Sequence, residues 1–322
     1  MRFKQDKIWL ENFNGKYQES DFKLDGYMAN IINYAMKDQA LQGQFNLKSQ
    51  HLIADDFMAF AGDTSSASST GVVLVPTNLD LVFKAAVNKV TYNGMDLKNA
   101  AGEMSIKKGL LTLKQTGFTL IDAPVVLDAS YQALNPNRAA FTAHFVAKEF
   151  SISKAYKEIK LFHDMASAAA SADGIVSLDY TLKGKLNETM FPIYPSLEGG
   201  GVLSVKAVKM KGFKLFSAAG KAAGKDSLTG NADLSKVDLK TSIKNNIITL
   251  EQTKMRVFPF RLRLSGQVNF DGQMNLKFRL GLPPLGIFGI PMTVTGTQEN
   301  PKVKTGKGDE STNLKEVEED NN

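Results

Sequence analysis

Long runs of alternating apolar and polar residues constrain this chain more than any other feature of its sequence. From Phe258 to Val268 the even positions are apolar, apart from Gly266, and the odd positions are mostly polar or charged. A second run, from Met274 to Leu282, follows the same pattern. A period of two is typical of β-strands with one buried face, since successive side chains point to opposite sides of a sheet. The sequence therefore predicts long strands that share one apolar face.

The turns between such runs test this prediction, because a slip of one residue reverses every side chain of a strand. Two-residue turns at Asn93-Gly94, Lys108-Gly109 and Asn245-Asn246 place apolar residues opposite one another, and Asn-Gly is a preferred pair for a tight hairpin turn. The predicted cross-strand pairs are Tyr92 with Met95, Val90 with Leu97, Ile106 with Leu111, Met104 with Leu113, Ile243 with Ile248 and Thr241 with Leu250.

The hairpin near residue 271 requires a different turn. A two-residue turn at Asp271-Gly272 opposes Val268 to Asn275 and mixes the two faces. A three-residue loop over 270–272 instead places Gly272 at the left-handed position that such a loop needs. It pairs Val268 with Met274, Leu264 with Phe278 and Leu262 with Leu280. The sequence thus predicts the three-residue loop.

The predicted fold class is mainly β, with a long curved antiparallel β-sheet folded into a U-shaped or barrel-like apolar groove. Two or three short helices are expected, over residues 26–37, 151–170 and 213–223. One domain is predicted over residues 1–304, followed by an acidic disordered tail over 305–322. Between Lys307 and Asn322 there are two lysines and six acids, so the rest of the chain carries +10 while the whole chain carries +6.

Composition and motifs argue against several classes of function. The chain has no cysteine, and its three histidines, His51, His144 and His163, lack the spacing of metal ligands. No serine lies in a G-x-S-x-G motif, and Asp55 and Asp56 are adjacent, which on a strand sends their carboxylates to opposite faces. Aromatic and basic clusters typical of nucleic-acid binding are lacking. We therefore expect no enzymatic activity, no metal or cofactor, and no nucleic-acid partner.

Membrane signals are also weak in the sequence itself. Residues 1–15 are polar and contain no apolar segment of a signal peptide. The longest apolar stretch, over 282–294, is interrupted by three prolines and is shorter than the roughly 20 residues of a membrane-spanning helix. These features predict that residues 1–322 contain no membrane anchor.

The aligned apolar positions are the candidate functional surface, within 90–97, 104–113, 241–250 and 258–282. An open apolar groove that covers lipid tails and an ordinary closed sheet core are both compatible with them. At the lip of a groove, Arg261, Arg263, Lys277 and Arg279 can meet lipid phosphates, or they are solvated surface charges. The candidate lipid-binding residues are Leu111, Leu113, Ile243, Ile248, Leu250, Phe258, Phe260, Leu262, Leu264, Val268, Met274, Leu276, Phe278 and Leu280.

Several motifs, in order, resemble the AsmA-like family of Gram-negative envelope proteins. They are Ser20-Asp21-Phe22-x-Leu24-x-Gly26, Leu41-x-Gly43, Leu47-x-Ser49, Asp56-Phe57-Met58, Gly199-Gly200-Gly201-Val202-Leu203, Gly266-x-Val268-x-Phe270, Gly289-Ile290-Pro291, Val294-x-Gly296 and Asn300-Pro301-Lys302-Val303. The resemblance extends over most of the chain, up to about residue 304, and its closing motifs are the most specific part.

This resemblance implies a periplasmic protein of the cell envelope. Members of the family are anchored in the inner membrane by one N-terminal helix, which residues 1–322 lack. Larger relatives form a trough with an apolar interior for phospholipid, and the family is associated with outer-membrane biogenesis. The implied partners are phospholipid or another diacyl lipid and the inner or outer membrane. A non-catalytic scaffold with a closed β core remains the alternative.

Overall fold

The chain folds into two compact units. The structure is a computed structural model that describes residues 2–4, 6–58, 71–165, 167–225, 228, 231–283, 286–306 and 314–317. Unit 1 comprises Met1–Val146 and Lys183–Ile193, and unit 2 comprises Ala147–Leu182 and Tyr194–Asn322. The sequence predicted one domain over 1–304, whereas the boundary between the units falls within two long strands, at 146/147 and 182/183.

Unit 1 is a sheet of long strands with two short helices. Its elements are β1 (Arg2–Lys4), β2 (Lys7–Tyr17), β3 (Ser20–Ala29), α1 (Ile31–Lys37), β4 (Leu41–Ile53), α2 (Ala54–Met58), β5 (Leu79–Tyr92), β6 (Met95–Lys107), β7 (Leu110–Leu120), β8 (Ala123–Asn135) and most of β9 (Arg138–Ser151). Neighbours from β1 to β8 pair in chain order and antiparallel, except that β4 and β5 are parallel. Parallel strands need a longer crossover than a hairpin, and α2 lies in the connection between β4 and β5.

Unit 2 is also built of long, curved antiparallel strands, with three α-helices among its described residues. Its elements are α3 (Ile152–Glu158), α4 (Lys160–Met165), most of β10 (Ala172–Leu186), β11 (Glu198–Met210), α5 (Lys214–Ala222), β12 (Ala232–Lys244), β13 (Ile247–Val257), β14 (Phe260–Asn269), β15 (Gln273–Gly281), β16 (Gly289–Thr297) and β17 (Pro301–Thr305). From β11 to β17 the strands pair antiparallel in chain order. The prediction of a mainly β chain with long curved antiparallel strands and short helices is confirmed.

All four predicted turns have the predicted register. Tyr92 pairs with Met95, Met104 with Leu113, and Ile243 with Ile248. In each two-residue turn both central residues have positive φ, as the tight hairpin turns require. The loop over 270–272 has three residues, with Gly272 at φ 79° and Val268 opposite Met274. Turn chemistry and the apolar alternation therefore determine the register together.

A β-bulge in β13 changes the alternation in a way that the sequence prediction missed. Leu250 pairs with Gly266, whereas Thr253 pairs with Leu264, so β13 holds one extra residue. The residues of β13 on the apolar face consequently change from even numbers, as at Leu250, to odd numbers, and Met255 and Val257 are 8% and 4% exposed. Without the bulge, odd-numbered residues would lie on the opposite side of the sheet from Leu250. The one extra residue places Met255 and Val257 on the same side as Leu250.

Each predicted helix is found within its predicted range, but two of the three are shorter than predicted or divided. The helix expected over 26–37 begins only at Ile31, because 26–29 belong to β3 and Asn30 takes a left-handed φ of 62°. The helix expected over 151–170 is divided at Ile159, which is extended with ψ 103°. Its start is capped by Ser151, whose Oγ accepts a hydrogen bond from the Lys154 N–H at 3.3 Å. The third, α5, lies within one residue of the predicted 213–223, and α2 was not predicted.

The predicted tail is ordered in part. Thr305 still belongs to β17. Residues 314–317 are held by three hydrogen bonds: the Leu314 N–H donates to Gln267 Oε1 at 3.1 Å, the Val317 N–H donates to the Asn245 carbonyl at 3.2 Å, and Asn245 Nδ2 donates to Glu316 Oε2 at 2.8 Å. The remaining tail positions, 307–313 and 318–322, lie outside the described residues. None of the helices among the described residues has the length and apolar character that a bilayer crossing requires.

The Ser20-Asp21 motif joins β3 to β4 through side chains. Ser20 is fully buried, and its Oγ accepts a hydrogen bond from the Ile53 N–H at 2.9 Å. The Asp21 carboxylate accepts from the N–H groups of Gln50 and His51 at 3.0 and 2.8 Å. The hydrogen bond from His51 is the main cause of the lowered pKa of Asp21, and partial desolvation opposes it. These residues thus stabilise the sheet of unit 1.

We predict that Asp21→Ala lowers the melting temperature at neutral pH and has a smaller effect in acid. The carboxylate has a lower pKa in the folded chain than its ordinary 3.8, so its stabilisation is present above that value and is lost as the pH falls below it. Thermal unfolding measured at about pH 7 and about pH 3 checks this. Asp233→Ala is the control, because Asp233 is exposed and makes no side-chain hydrogen bond within the described part of the chain. Equal effects of Asp21→Ala at both pH values would contradict the prediction.

Candidate functional site

The apolar face of unit 2 is for the most part a closed core. Phe260, Leu262, Phe278 and Leu280 are each no more than 3% exposed. Ile243, Met274, Leu276, Met292 and Val294 share this face and are also buried. Most of the candidate residues in β14 and β15 therefore contact protein instead of solvent.

Helix α5 contributes to the burial of this face. Its buried side is formed by Leu215, Phe216 and Ala219. The Phe216 ring lies 6.4 Å from the ring of Phe278 and 4.9 Å, edge to face, from that of Phe213. A Cβ at Gly220 would lie 2.4 Å from the Leu228 carbonyl oxygen, so a glycine is required for this close approach.

One part of the face in unit 2 remains partly exposed. Ile248 pairs with Val268, and Leu250 pairs with Gly266, beside Leu264. The side chains of Ile248, Leu250, Leu264 and Val268 are all half-buried. These four candidate residues form a continuous patch at the far end of the strands from Phe260.

Phe258 does not join the apolar face. It lies in the turn between β13 and β14, where Val257 pairs with Phe260, and its side chain is 89% exposed. The sequence prediction placed Phe258 on the apolar face because it took Phe258 as the first residue of the alternating strand, whereas β14 begins at Phe260. The turn consists of Phe258 and Pro259, without glycine or asparagine. Pro259 was the available signal, since proline is common in turns and has no N–H to donate within a sheet.

The apolar face of unit 1 is more exposed than that of unit 2. Cross-strand pairing aligns Phe45 with Phe83, Phe83 with Met104, and Met104 with Leu113. A second row aligns Leu81, Ile106, Leu111 and Tyr131. All of these side chains except Phe45 are half-buried. The result is a continuous, partly exposed apolar strip across β5 to β8.

The strip contains residues that the candidate set omitted. Leu81 and Phe83 belong to β5, and the Phe83 ring stacks on that of Phe45 at 5.1 Å between ring centres. Gly43 allows this packing, because a Cβ there would lie 2.8 Å from the Phe45 ring and 3.1 Å from Leu81. The alternation of Leu41, Gly43, Phe45 and Leu47 in the sequence was the available signal. Only the parallel pairing of β4 and β5 shows that the two strands align their apolar residues.

Two titratable groups with shifted pKa values, Tyr194 and Asp164, are hydrogen-bonded to each other. The Tyr194 hydroxyl donates to Asp164 Oδ2 at 2.8 Å, and the Tyr194 ring stacks on Phe270 at 4.6 Å. Burial, with the Asp164 carboxylate in addition, raises the pKa of Tyr194 to about 12. For Asp164, burial acts to raise the pKa, but hydrogen bonds from His163, Tyr194 and Lys160 hold it below its ordinary value. The pair attaches α4 to the turns that follow β10 and β14.

A polar row at one end of unit 1 is similarly structural. Thr91 Oγ1 lies 3.0 Å from His51 Nε2 and donates to Asp96 Oδ1 at 2.8 Å, and Lys89 pairs with Asp96 at 3.0 Å. The hydrogen bonds from Lys89 and Thr91 lower the pKa of Asp96. Within the described ranges, no three His, Asp or Glu side chains are arranged to hold a metal ion.

The partly exposed apolar strip of unit 1 is the main candidate functional surface, because its aligned apolar side chains are only half-buried.

Comparison with known proteins adds nothing to this geometry: no family model, no curated protein and no solved structure matches the chain.

Proposed function

We propose that this protein binds the acyl chains of a lipid on the apolar strip of unit 1 and carries the lipid through an aqueous compartment. The observation that carries the proposal is the strip itself, two aligned rows of half-buried apolar residues that include Leu111 and Leu113. No directional chemistry is needed for this task, and we propose a binding protein without enzymatic activity.

The physical reason is the free energy of exposing a lipid tail to water. Each methylene removed from water contributes about 0.8 kcal/mol, so an acyl chain of about sixteen carbons costs roughly 12 kcal/mol to expose. A partly exposed strip of apolar side chains offers acyl chains a surface that a fully packed core does not. Long strands suit this role because they provide an extended surface parallel to an extended tail.

The resemblance to the AsmA-like family supports the choice of lipid and compartment. On this basis we propose a phospholipid or another diacyl lipid, a periplasmic location in a Gram-negative envelope, and a contribution to outer-membrane biogenesis. The motif with Ser20 and Asp21 has a structural role here, since it joins β3 to β4 beside the apolar strip.

A second candidate function is supported by unit 2. Its face is filled by side chains such as Leu262 and Leu280, at 1% and 0% exposure, and is covered in part by α5. A closed core of this kind suits a non-catalytic scaffold in envelope assembly. The two candidates differ in what the purified chain retains, because a scaffold needs no lipid.

Native mass spectrometry of the full chain, followed by organic extraction, tests the proposal. We expect a bound diacyl lipid at defined stoichiometry, either on purification or after incubation with phospholipid vesicles. Unfolding the protein before the measurement is the control, since lipid held by a folded surface is then released. A protein that stays lipid-free under both conditions would contradict lipid carriage and favour the scaffold.

A further inference from the structure

The outward face of β13, β14 and β15 carries a cluster of basic residues. These are Lys254, Arg256, Arg261, Arg263, Lys277 and Arg279, and they alternate with the buried residues of the same strands. Three like-charged pairs stand directly opposite one another: Lys254 with Arg263, Arg256 with Arg261, and Arg263 with Arg279. We call these six residues the basic cluster.

The arrangement is unfavourable for folding by itself, because like charges directly opposite in an antiparallel pair destabilise a sheet. Within the described part of the chain, no carboxylate forms an ion pair with Lys254, Arg256, Arg261 or Arg263. Arg279 donates instead to the carbonyl groups of Gly286 and Ile287, at 3.5 and 2.8 Å, in the loop after β15. Lys254, Arg256, Arg261 and Arg263 thus present positive charge that the described carboxylates do not neutralise.

Three large apolar side chains protrude beside the basic cluster. Phe258, in the turn after β13, is 89% exposed, and Ile287 and Phe288, in the loop after β15, are 67% and 80% exposed. The two loops lie at the same end of the sheet, since Arg261 pairs with Gly281 and Gly281 pairs with Gly289. We call Phe258, Ile287 and Phe288 the apolar tip.

We propose that the apolar tip and the basic cluster together dock unit 2 on an anionic lipid bilayer. Arg256 lies two residues before Phe258 and Arg261 three residues after it. At about 3.4 Å per strand residue, these charges lie about 7–10 Å behind the tip. Apolar groups at a membrane interface insert about 5–10 Å, which places the guanidinium groups level with lipid phosphates.

The chemistry favours a bilayer over other anionic partners. The phosphates of a nucleic acid would bind the basic cluster, but a nucleic acid offers no hydrocarbon region into which Phe258, Ile287 and Phe288 could insert. An anionic bilayer satisfies both halves of the surface, with hydrocarbon for the tip and phosphate for the arginines. Arginine also binds phosphate with two parallel hydrogen bonds, which strengthens this match.

The docking surface goes beyond the proposed function and is independent of it. The apolar strip that we propose for acyl chains belongs to unit 1, whereas the tip and the cluster belong to unit 2. A protein can therefore dock without carrying lipid, or carry lipid without docking here. Lipid retention by native mass spectrometry and binding to vesicles measure the two properties separately.

Vesicle sedimentation with the full chain tests the apolar tip. We expect the wild-type protein to bind vesicles of phosphatidylcholine mixed with phosphatidylglycerol. The variant Phe258→Ser/Ile287→Ser/Phe288→Ser is expected to bind at least about tenfold more weakly. The control is Ile32→Ser/Met36→Ser/Leu134→Ser, which removes three other exposed apolar side chains, at 51%, 79% and 52% exposure, and is expected to bind as wild type.

A second variant tests the basic cluster. Arg256→Gln/Arg261→Gln/Arg263→Gln is expected to bind the anionic vesicles at least about tenfold more weakly, because each basic residue near an anionic surface strengthens binding several-fold. Its control, Lys48→Gln/Lys98→Gln/Lys114→Gln, makes the same change in net charge at exposed positions of unit 1. Binding by the wild type is also expected to weaken as salt rises from about 0.1 M to about 1 M.

Three results would overturn the proposal. The first is a wild-type protein that does not bind anionic vesicles. The second is equal binding by the tip or cluster variants and their controls. The third is binding to heparin that displaces the vesicles and is unaffected by the tip variant, which would indicate an anion site without membrane insertion. All variants are at exposed positions, so an unchanged melting temperature confirms that each has folded.

Discussion

Replacing Leu262 by aspartate is expected to unfold unit 2. Leu262 is 1% exposed in β14, between Met255 on β13 and Leu280 on β15. An ionised carboxylate at such a position loses its hydration and gains no partner, with a penalty of several kcal/mol. We expect a destabilisation of more than about 4 kcal/mol, which is comparable to the whole stability of many domains.

The measurement is hydrogen exchange across the chain, read separately for the two units. The slow exchange of β13 to β16 is expected to be lost in Leu262→Asp. Arg263→Asp is the matched control, since it places the same side chain one residue away on the exposed face. There it removes repulsion from Lys254 and Arg279, so protection is expected to persist or increase. A folded unit 2 in Leu262→Asp would show that this face is open and would contradict the closed core.

A leucine-to-aspartate substitution in unit 1, at Leu113, is expected to leave the fold intact and to weaken lipid binding. Leu113 is half-buried in β7, opposite Met104 and Ala129, so an aspartate there keeps access to water. We expect a loss of less than about 2 kcal/mol in stability, in the range of ordinary substitutions. A charge within the apolar strip excludes acyl chains, however, and lipid retention is expected to fall at least about tenfold.

Thr112→Asp is the control for this second prediction. Thr112 precedes Leu113 on the same strand, faces the opposite side, and lies 2.5 Å from Ser105 through their hydroxyl oxygens. Lipid retained per protein, measured by native mass spectrometry, is expected to be unchanged in Thr112→Asp. Equal retention by the two variants would show that acyl chains do not lie on this strip.

The strand register was predictable from sequence because two independent signals agreed. Alternation restricted each hairpin to a few registers, and residues that accept positive φ, such as Asn93, Asn245 and Gly272, selected one of them. The bulge in β13 was harder to identify. Its only trace in the sequence is that the apolar residues change from even positions at Leu250 to odd positions at Met255.

The sequence predicted which candidate residues share one side of the sheet, but it did not predict which of them are exposed. Leu111 and Leu262 follow the same alternation in sequence, yet Leu111 is half-buried and Leu262 is fully buried. What separates them is tertiary packing in unit 2, where α5, for example, places Phe216 beside Phe278. Period two shows which side chains share a side of the sheet, whereas exposure depends on elements distant in the sequence.

Phe258 and the basic cluster form a surface that the sequence prediction did not identify. Alternation assigned Phe258 to the apolar face, but the turn places it at 89% exposure beside Arg256 and Arg261. The opposing like charges become apparent only when the register of β13 to β15 is known. Phe258, which the sequence prediction placed among the residues that contact acyl chains, instead belongs to the surface that we propose docks on an anionic bilayer.

Site-specific photocrosslinking is the most direct test of acyl chains on the apolar strip of unit 1. A photoreactive phenylalanine analogue is placed at Leu113 and, in a separate protein, at Thr112, and each is irradiated with phospholipid vesicles. Mass spectrometry is expected to find a covalent phospholipid adduct at position 113 and none above background at position 112. An adduct at both positions, or at neither, would contradict lipid binding on this face.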